Sequence, residues 1–133
     1  IFHRDVLPDP RSLLTYIREH GAKPALAISP ETPAEAITDY LEDVAMILVM
    51  TVHPGFGGQD LIPDCLAKVT QVRQAMQARG LTRDIEVDGG IHAGTAAQAV
   101  AAGANVLVAG SAIYNKDETP AQAMQRLRTS IGE

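Results

Sequence analysis

Apolar residues in this chain alternate between short continuous runs and longer stretches with helical spacing. A continuous run such as residues 45–52 ("AMILVMTV") is typical of a strand covered on both faces of a parallel sheet. Thr32-Pro33 and Thr119-Pro120 each predict a helix start, with threonine as the N-cap and proline in the first turn. The pattern predicts strands over residues 1–3, 23–29, 45–52, 84–90 and 105–113, and helices over 9–21, 32–44, 63–79, 93–103 and 119–131.

Regular alternation of strand and helix predicts an α/β fold with a parallel sheet and right-handed crossovers. Two architectures share this pattern: an open doubly wound sheet and a TIM-type (β/α) barrel. A complete barrel takes roughly 250 residues, whereas this chain has 133. A barrel reading therefore predicts a partial barrel of about five strands, forming a single domain over residues 1–133.

Composition and charge exclude some classes of binding partner. The net charge is −5, and the lysines and arginines are spread along the chain instead of forming a basic stripe. This argues against nucleic-acid binding. No apolar run is long enough to span a bilayer and no signal peptide is expected, so we expect no membrane partner. The single cysteine, Cys65, excludes an internal disulfide, is expected to be a buried structural thiol, and fits a cytoplasmic location.

Glycine-rich turns follow three successive predicted strands, at residues 54–59 ("PGFGGQ"), 88–90 ("DGG") and 110–111 ("GS"). The carboxyl ends of parallel strands share one rim, where ligands collect. Glycine lets the backbone approach a ligand, and successive amide N–H groups can cradle an anion. One such turn is most simply a turn, but three on one rim predict a phosphate or sugar-phosphate site. Neither a P-loop nor a Gly-x-Gly-x-x-Gly motif is present, which disfavours a nucleotide.

Asp88 differs from the other acidic residues, most of which lie on predicted solvated helix faces. It ends the strand-like segment "IEVD", so its side chain is predicted to enter the rim cavity. Burial there can raise a carboxyl pKa, and a metal can hold the group ionised. Asp88 is therefore a candidate functional acid. His53, beside the first glycine turn, is more simply structural, and Met50 is more simply a core residue.

Three segments, "LVMTVHPGFGGQ", "IEVDGGI" and "VLVAGSAIY", resemble in sequence and spacing the carboxyl-terminal part of the ribulose-phosphate 3-epimerase family. The resemblance covers essentially the whole chain. It implies a (β/α)₈ barrel that interconverts ribulose 5-phosphate and xylulose 5-phosphate, an isomerase of the pentose phosphate pathway. The chain would correspond to that barrel from about its fourth strand, with roughly three strand–helix units having no counterpart here.

The resemblance also implies residue roles. Asp88 would carry a proton and bind a divalent metal, zinc or iron first, with manganese or cobalt as alternatives, and Met50 would lie near the reacting carbons. The implied substrate contacts are Gly55, Phe56, Gly57, Gly58, Gly89, Gly90, Gly110 and Ser111. The family's second catalytic aspartate and its two metal-binding histidines have no match in this sequence. We therefore expect this chain to be part of an epimerase and to have little or no epimerase activity by itself.

The alternative is a non-catalytic half-barrel that binds a sugar phosphate or self-associates. A sheet of five strands leaves two open edges and an uncovered apolar face, and such surfaces promote association. On this reading, and for the isolated chain in general, we expect a homo-oligomer.

Overall fold

The computed structural model describes all 133 residues and contains five strands, each followed by a helix. The strands are β1 (Phe2–His3), β2 (Ala25–Ile28), β3 (Met46–Met50), β4 (Asp84–Asp88) and β5 (Val106–Val108). The helices are α1 (Arg11–Glu19), α2 (Glu35–Thr38), α3 (Asp64–Ala78), α4 (Ala96–Ala102) and α5 (Pro120–Ser130), with a short 3₁₀ turn at Arg4–Val6. The predicted alternation of strand and helix is confirmed.

Strand order decides between the two predicted architectures. All five strands are parallel and lie side by side in chain order, from β1 at one edge to β5 at the other. A doubly wound sheet reverses its order at a switch point, and this sheet does not. Right-handed crossovers between consecutive strands place every helix on one side of the sheet, as in a barrel wall. The predicted partial TIM-type barrel is confirmed; self-association through its two edges stays a prediction.

The two faces of the sheet are unequal. Alternate strand residues such as Ile47 and Val87 join the helices in a core cluster of 22 buried residues. The opposite side, called the inner face below, holds a buried cluster of only four residues: Ala27, Leu48, Met50 and Val52. Strand register places Glu86 beside Leu48 and Asp88 beside Met50 on that face. The hydrophobic core is thus on the helix side, and the carboxylates are on the inner face.

The two threonine–proline helix starts behave differently. At α5 the prediction is confirmed, because Thr119 Oγ1 accepts a hydrogen bond from the Gln122 backbone N–H, and Gln122 Oε1 accepts one from the Thr119 backbone N–H. At α2 it is wrong, because Thr32 instead donates its hydroxyl to the Asp5 carboxylate at 2.6 Å. The helix begins two residues after Pro33.

Helix α2 is also shorter than the predicted range. The amides of Tyr40 and Asp43 bond to carbonyls three residues earlier, so the chain continues as tight turns after Thr38. Cys65 is buried, as predicted, and burial raises the pKa of its thiol. None of the helices is long and apolar enough to cross a bilayer.

Candidate active site

A cavity of about 260 Å³ opens at the carboxyl ends of β3, β4 and β5. The turns after these strands form its walls, as expected where parallel strands share a rim. Eight of the ten residues predicted for the site line it: Phe56, Gly57, Gly58, Asp88, Gly89, Gly90, Gly110 and Ser111. A wider groove of about 380 Å³ lies at the opposite end of the strands and contains none of the predicted residues.

Asp88 ends β4 and projects from the inner face beside Met50. Its backbone carbonyl accepts a hydrogen bond from the Thr51 amide at 2.9 Å, which fixes the strand end against β3. The side chain is half-buried and makes no hydrogen bond or ion pair within the chain. Both carboxylate oxygens are therefore available to a ligand.

The two glycines after Asp88 are required by close packing. Gly89 and Gly90 have φ angles of +129° and +66°, which disfavour residues with a side chain. A Cβ at Gly89 would lie 2.5 Å from a methyl carbon of Val52, and one at Gly90 would lie 2.8 Å from the Leu61 Cα. The turn after β4 is thus pressed against the segment that follows β3, and this contact closes one wall of the cavity.

The glycine loop after β3 is held from within. The Gln59 side-chain amide donates to the backbone carbonyls of His53 at 2.8 Å and Phe56 at 2.9 Å. Phe56 is 74% exposed and lines the cavity. His53 does not line the cavity; its Nδ1 contacts the Glu31 carboxylate at 2.6 Å across the neighbouring loop. The loop therefore presents glycine backbone to the cavity and keeps the imidazole outside.

Comparison with known families decides what kind of protein carries this pocket. The sequence model of the family described as "Ribulose-phosphate 3 epimerase family" matches residues 1–114 of this chain. This chain belongs to the ribulose-phosphate 3-epimerase family. Its curated relatives include the ribulose-phosphate 3-epimerases of Mycobacterium tuberculosis and Methanocaldococcus jannaschii, each 44% identical over 131 and 132 residues, and that of Bacillus subtilis, 38% identical over 130 residues.

These alignments cover 96–99% of this chain but only 57%, 56% and 59% of the three relatives. The chain therefore spans little more than half the length of the curated epimerases that it matches. Among solved structures, the crystal structure of a 3-hexulose-6-phosphate synthase superposes with a TM-score of 0.50 at 19% identity, covering 98% of this chain and 73% of the other. That likeness supports the fold.

Two residues predicted for the epimerase site do not line the cavity. Met50 is 8% exposed and packs in the inner-face cluster next to Asp88. Gly55 lies in the exposed part of the glycine loop. Their implied contacts with substrate stay predictions.

Residue patterns assigned no role to three titratable groups that lie near Asp88. Asp60 and His92 line the cavity and are exposed to solvent. Glu86 lies two residues before Asp88 on the inner face; burial raises its carboxyl pKa, and the negative charge of Asp88 raises it further. The alternation in "IEVD" could have indicated Glu86, because residues two apart in a strand share a face.

The raised pKa of Glu86 predicts a stability effect with a definite sign. Between the ordinary and the raised pKa, the folded chain holds more protons than the unfolded chain, so stability falls as pH rises through that window. We expect Glu86→Gln to raise the urea midpoint slightly at about pH 7.5 and to leave it unchanged at about pH 4, where glutamate is largely protonated. The effect is small because the group is partly solvated.

The matched control for this prediction is Glu42→Gln, in an exposed turn after α2. It should leave both midpoints unchanged. A Glu86→Gln midpoint that rises equally at both pH values would assign the gain to packing and contradict the electrostatic account.

The family resemblance implies a divalent metal at Asp88, which needs further ligands close to that carboxylate. No group of three or more histidine, cysteine, aspartate or glutamate side chains lies close enough together to hold a metal ion. A structural zinc ion takes four protein ligands, and a catalytic zinc ion takes three. These residues do not form a metal centre by themselves, and Asp88 would contribute one ligand to it.

Proposed function

We propose that this chain supplies the sugar-phosphate-binding turns and one proton carrier for epimerisation at C3 of a ketopentose phosphate, converting D-ribulose 5-phosphate to D-xylulose 5-phosphate. The observation that carries the proposal is a carboxylate without internal partners, Asp88, in a cavity walled by three glycine turns. Membership of the epimerase family supports the choice of substrate.

The chemistry requires a base beside the reacting carbon. The proton on C3 is acidified by the C2 ketone, and its removal gives an enediolate that can be reprotonated on either face. A carboxylate held at the strand end can take or return that proton on one face. Backbone amides in the glycine turns would bind the phosphate and so hold C3 of the sugar beside the Asp88 carboxylate. Fixing the reacting carbon next to the base lowers the entropic part of the barrier to proton transfer.

Inversion also needs a proton carrier on the other face of the enediolate. Glu86 shares its strand and its face with Asp88, so it approaches from the same side. Asp60 lies in the loop after β3 and His92 in the turn after β4, and both are solvent-exposed. The proposed role of the chain is therefore one half of a two-sided site, as the family resemblance implies.

The test is an epimerase assay of the 133-residue chain with ribulose 5-phosphate and a saturating divalent metal. We expect the sugar phosphate to bind, seen as amide shifts in the three glycine turns, with little or no xylulose 5-phosphate formed. Robust turnover would contradict the missing-partner account and would point to Asp60 or His92 as the second carrier. Absence of binding at these turns would overturn the proposed function itself.

Binding without turnover also describes a second candidate, a non-catalytic sugar-phosphate-binding half-barrel. The unpartnered outer edges of β1 and β5 favour it, since they leave the isolated sheet open. Joining this chain to the amino-terminal part of a full-length relative distinguishes the two. The epimerase proposal requires that the joined protein epimerise ribulose 5-phosphate.

A further inference from the structure

Two threonine hydroxyls hold the consecutive carbonyls of the Gly-Gly turn. Thr51 Oγ1 donates to the Gly89 carbonyl at 2.6 Å, and Thr95 Oγ1 donates to the Gly90 carbonyl at 2.7 Å. Thr51 is fully buried at the end of β3, and Thr95 is half-buried just before α4. The two hydroxyls reach the turn from different elements, 38 residues before Gly89 and five residues after Gly90.

Each held carbonyl fixes the direction of an amide. In a trans peptide the C=O of one residue and the N–H of the next point in opposite directions, and every peptide bond here is trans. The amides of Gly90 and Ile91 therefore point away from Thr51 and Thr95. Neither N–H has a hydrogen-bond partner within the chain, and both residues line the 260 Å³ cavity.

A Gly-Gly turn needs such restraint more than other turns. Glycine populates both signs of φ readily, so peptide planes flanked by glycines can rotate with little steric penalty. A rotated plane would aim a carbonyl oxygen at the cavity and repel an anion. A half-buried carbonyl that accepts a hydroxyl proton resists this rotation, because rotation would break its hydrogen bond.

We propose that Thr51 and Thr95 are positioning residues of the phosphate site: they orient the two peptide planes so that the N–H groups of Gly90 and Ile91 face the phosphate. The inference rests on the proposed function, and it assigns the orientation of the cradle to side chains that do not touch the ligand. Thr51 controls the Gly90 amide, and Thr95 controls the Ile91 amide.

Amide NMR of the ¹⁵N-labelled chain, titrated with inorganic phosphate, tests this assignment. In the unmodified chain both amides should shift. Thr51→Val should suppress the response of Gly90 and retain that of Ile91, and Thr95→Val should do the reverse. Each variant should bind phosphate about tenfold more weakly, the effect of losing one charge-assisted hydrogen bond. Thr51→Ser and Thr95→Ser keep the hydroxyl and should behave as the unmodified chain.

Residual dipolar couplings of the two N–H bonds, measured without phosphate, separate this inference from the proposed function. A changed Gly90 orientation in Thr51→Val, restored in Thr51→Ser, supports the positioning role even if phosphate fails to bind. Unchanged couplings and an unchanged phosphate response in both valine variants would overturn the inference and leave the proposed function standing. Should Thr51→Val fail to fold, Thr95→Val, at a half-buried position, carries the test with the same two outcomes.

Discussion

Gly90→Ala will destabilise the chain by about 2–4 kcal/mol and abolish sugar-phosphate binding. Gly90 has φ +66°, so alanine incurs the left-handed backbone penalty. Its Cβ would also meet the Leu61 backbone, which cannot move aside as a flexible side chain could. The turn must shift, and the amides that line the cavity shift with it. Urea unfolding gives the stability loss, and a titration with ribulose 5-phosphate gives the loss of binding.

Gly80 provides a closely matched control. It ends α3 with φ +65°, and a Cβ there would meet nothing within 4 Å. Gly80→Ala should therefore show only the backbone penalty, about 1 kcal/mol, and should bind the sugar phosphate normally. Equal losses in the two variants would show that the contact with Leu61 relaxes without consequence.

Asp88→Asn should lower epimerase turnover about 10³-fold in a protein that joins the amino-terminal part of the Bacillus subtilis relative to this chain. Asparagine has nearly the shape of aspartate but cannot carry the proton at neutral pH. Asp88 has no internal partner whose loss would disturb the fold. The decisive measurements are the epimerisation rates of ribulose 5-phosphate and of xylulose 5-phosphate, both of which should fall because each direction needs the proton carrier on this face.

Asp60→Asn makes the same substitution in an exposed residue of the same cavity. It should leave turnover within about threefold of the unmodified protein, a change of less than 1 kcal/mol. If Asp60→Asn instead matched the loss caused by Asp88→Asn, the proton carrier on this wall would be misassigned.

Local pattern was sufficient for the order of elements and for most of the cavity wall. Continuous apolar runs indicated the strands, and the turns that follow β3, β4 and β5 share a rim simply because the strands are parallel. Local sequence patterns could not distinguish a barrel from an open sheet, because the difference depends on which strands become neighbours. Length left that choice open as well, and the motif resemblance had to supply it.

The features that residue patterns missed depend on contacts between distant segments. The predicted start of α2 was wrong because the Thr32 hydroxyl donates to the Asp5 carboxylate, 27 residues away in the sequence. Glu86 was detectable from alternation, but the burial that raises its pKa depends on packing across the sheet. The hydrogen bond from Thr51 to Gly89 joins residues 38 apart. No window of sequence contains both ends of such a contact.

Folding and chemistry use opposite sides of this sheet. The 22-residue cluster between the sheet and the helices is the hydrophobic core, whereas the inner face has four buried apolar residues and the carboxylates. Substitutions on the inner face therefore remove little of the buried apolar surface that stabilises the fold. What the cavity binds can therefore be altered by substitution there while the packed layer stays intact.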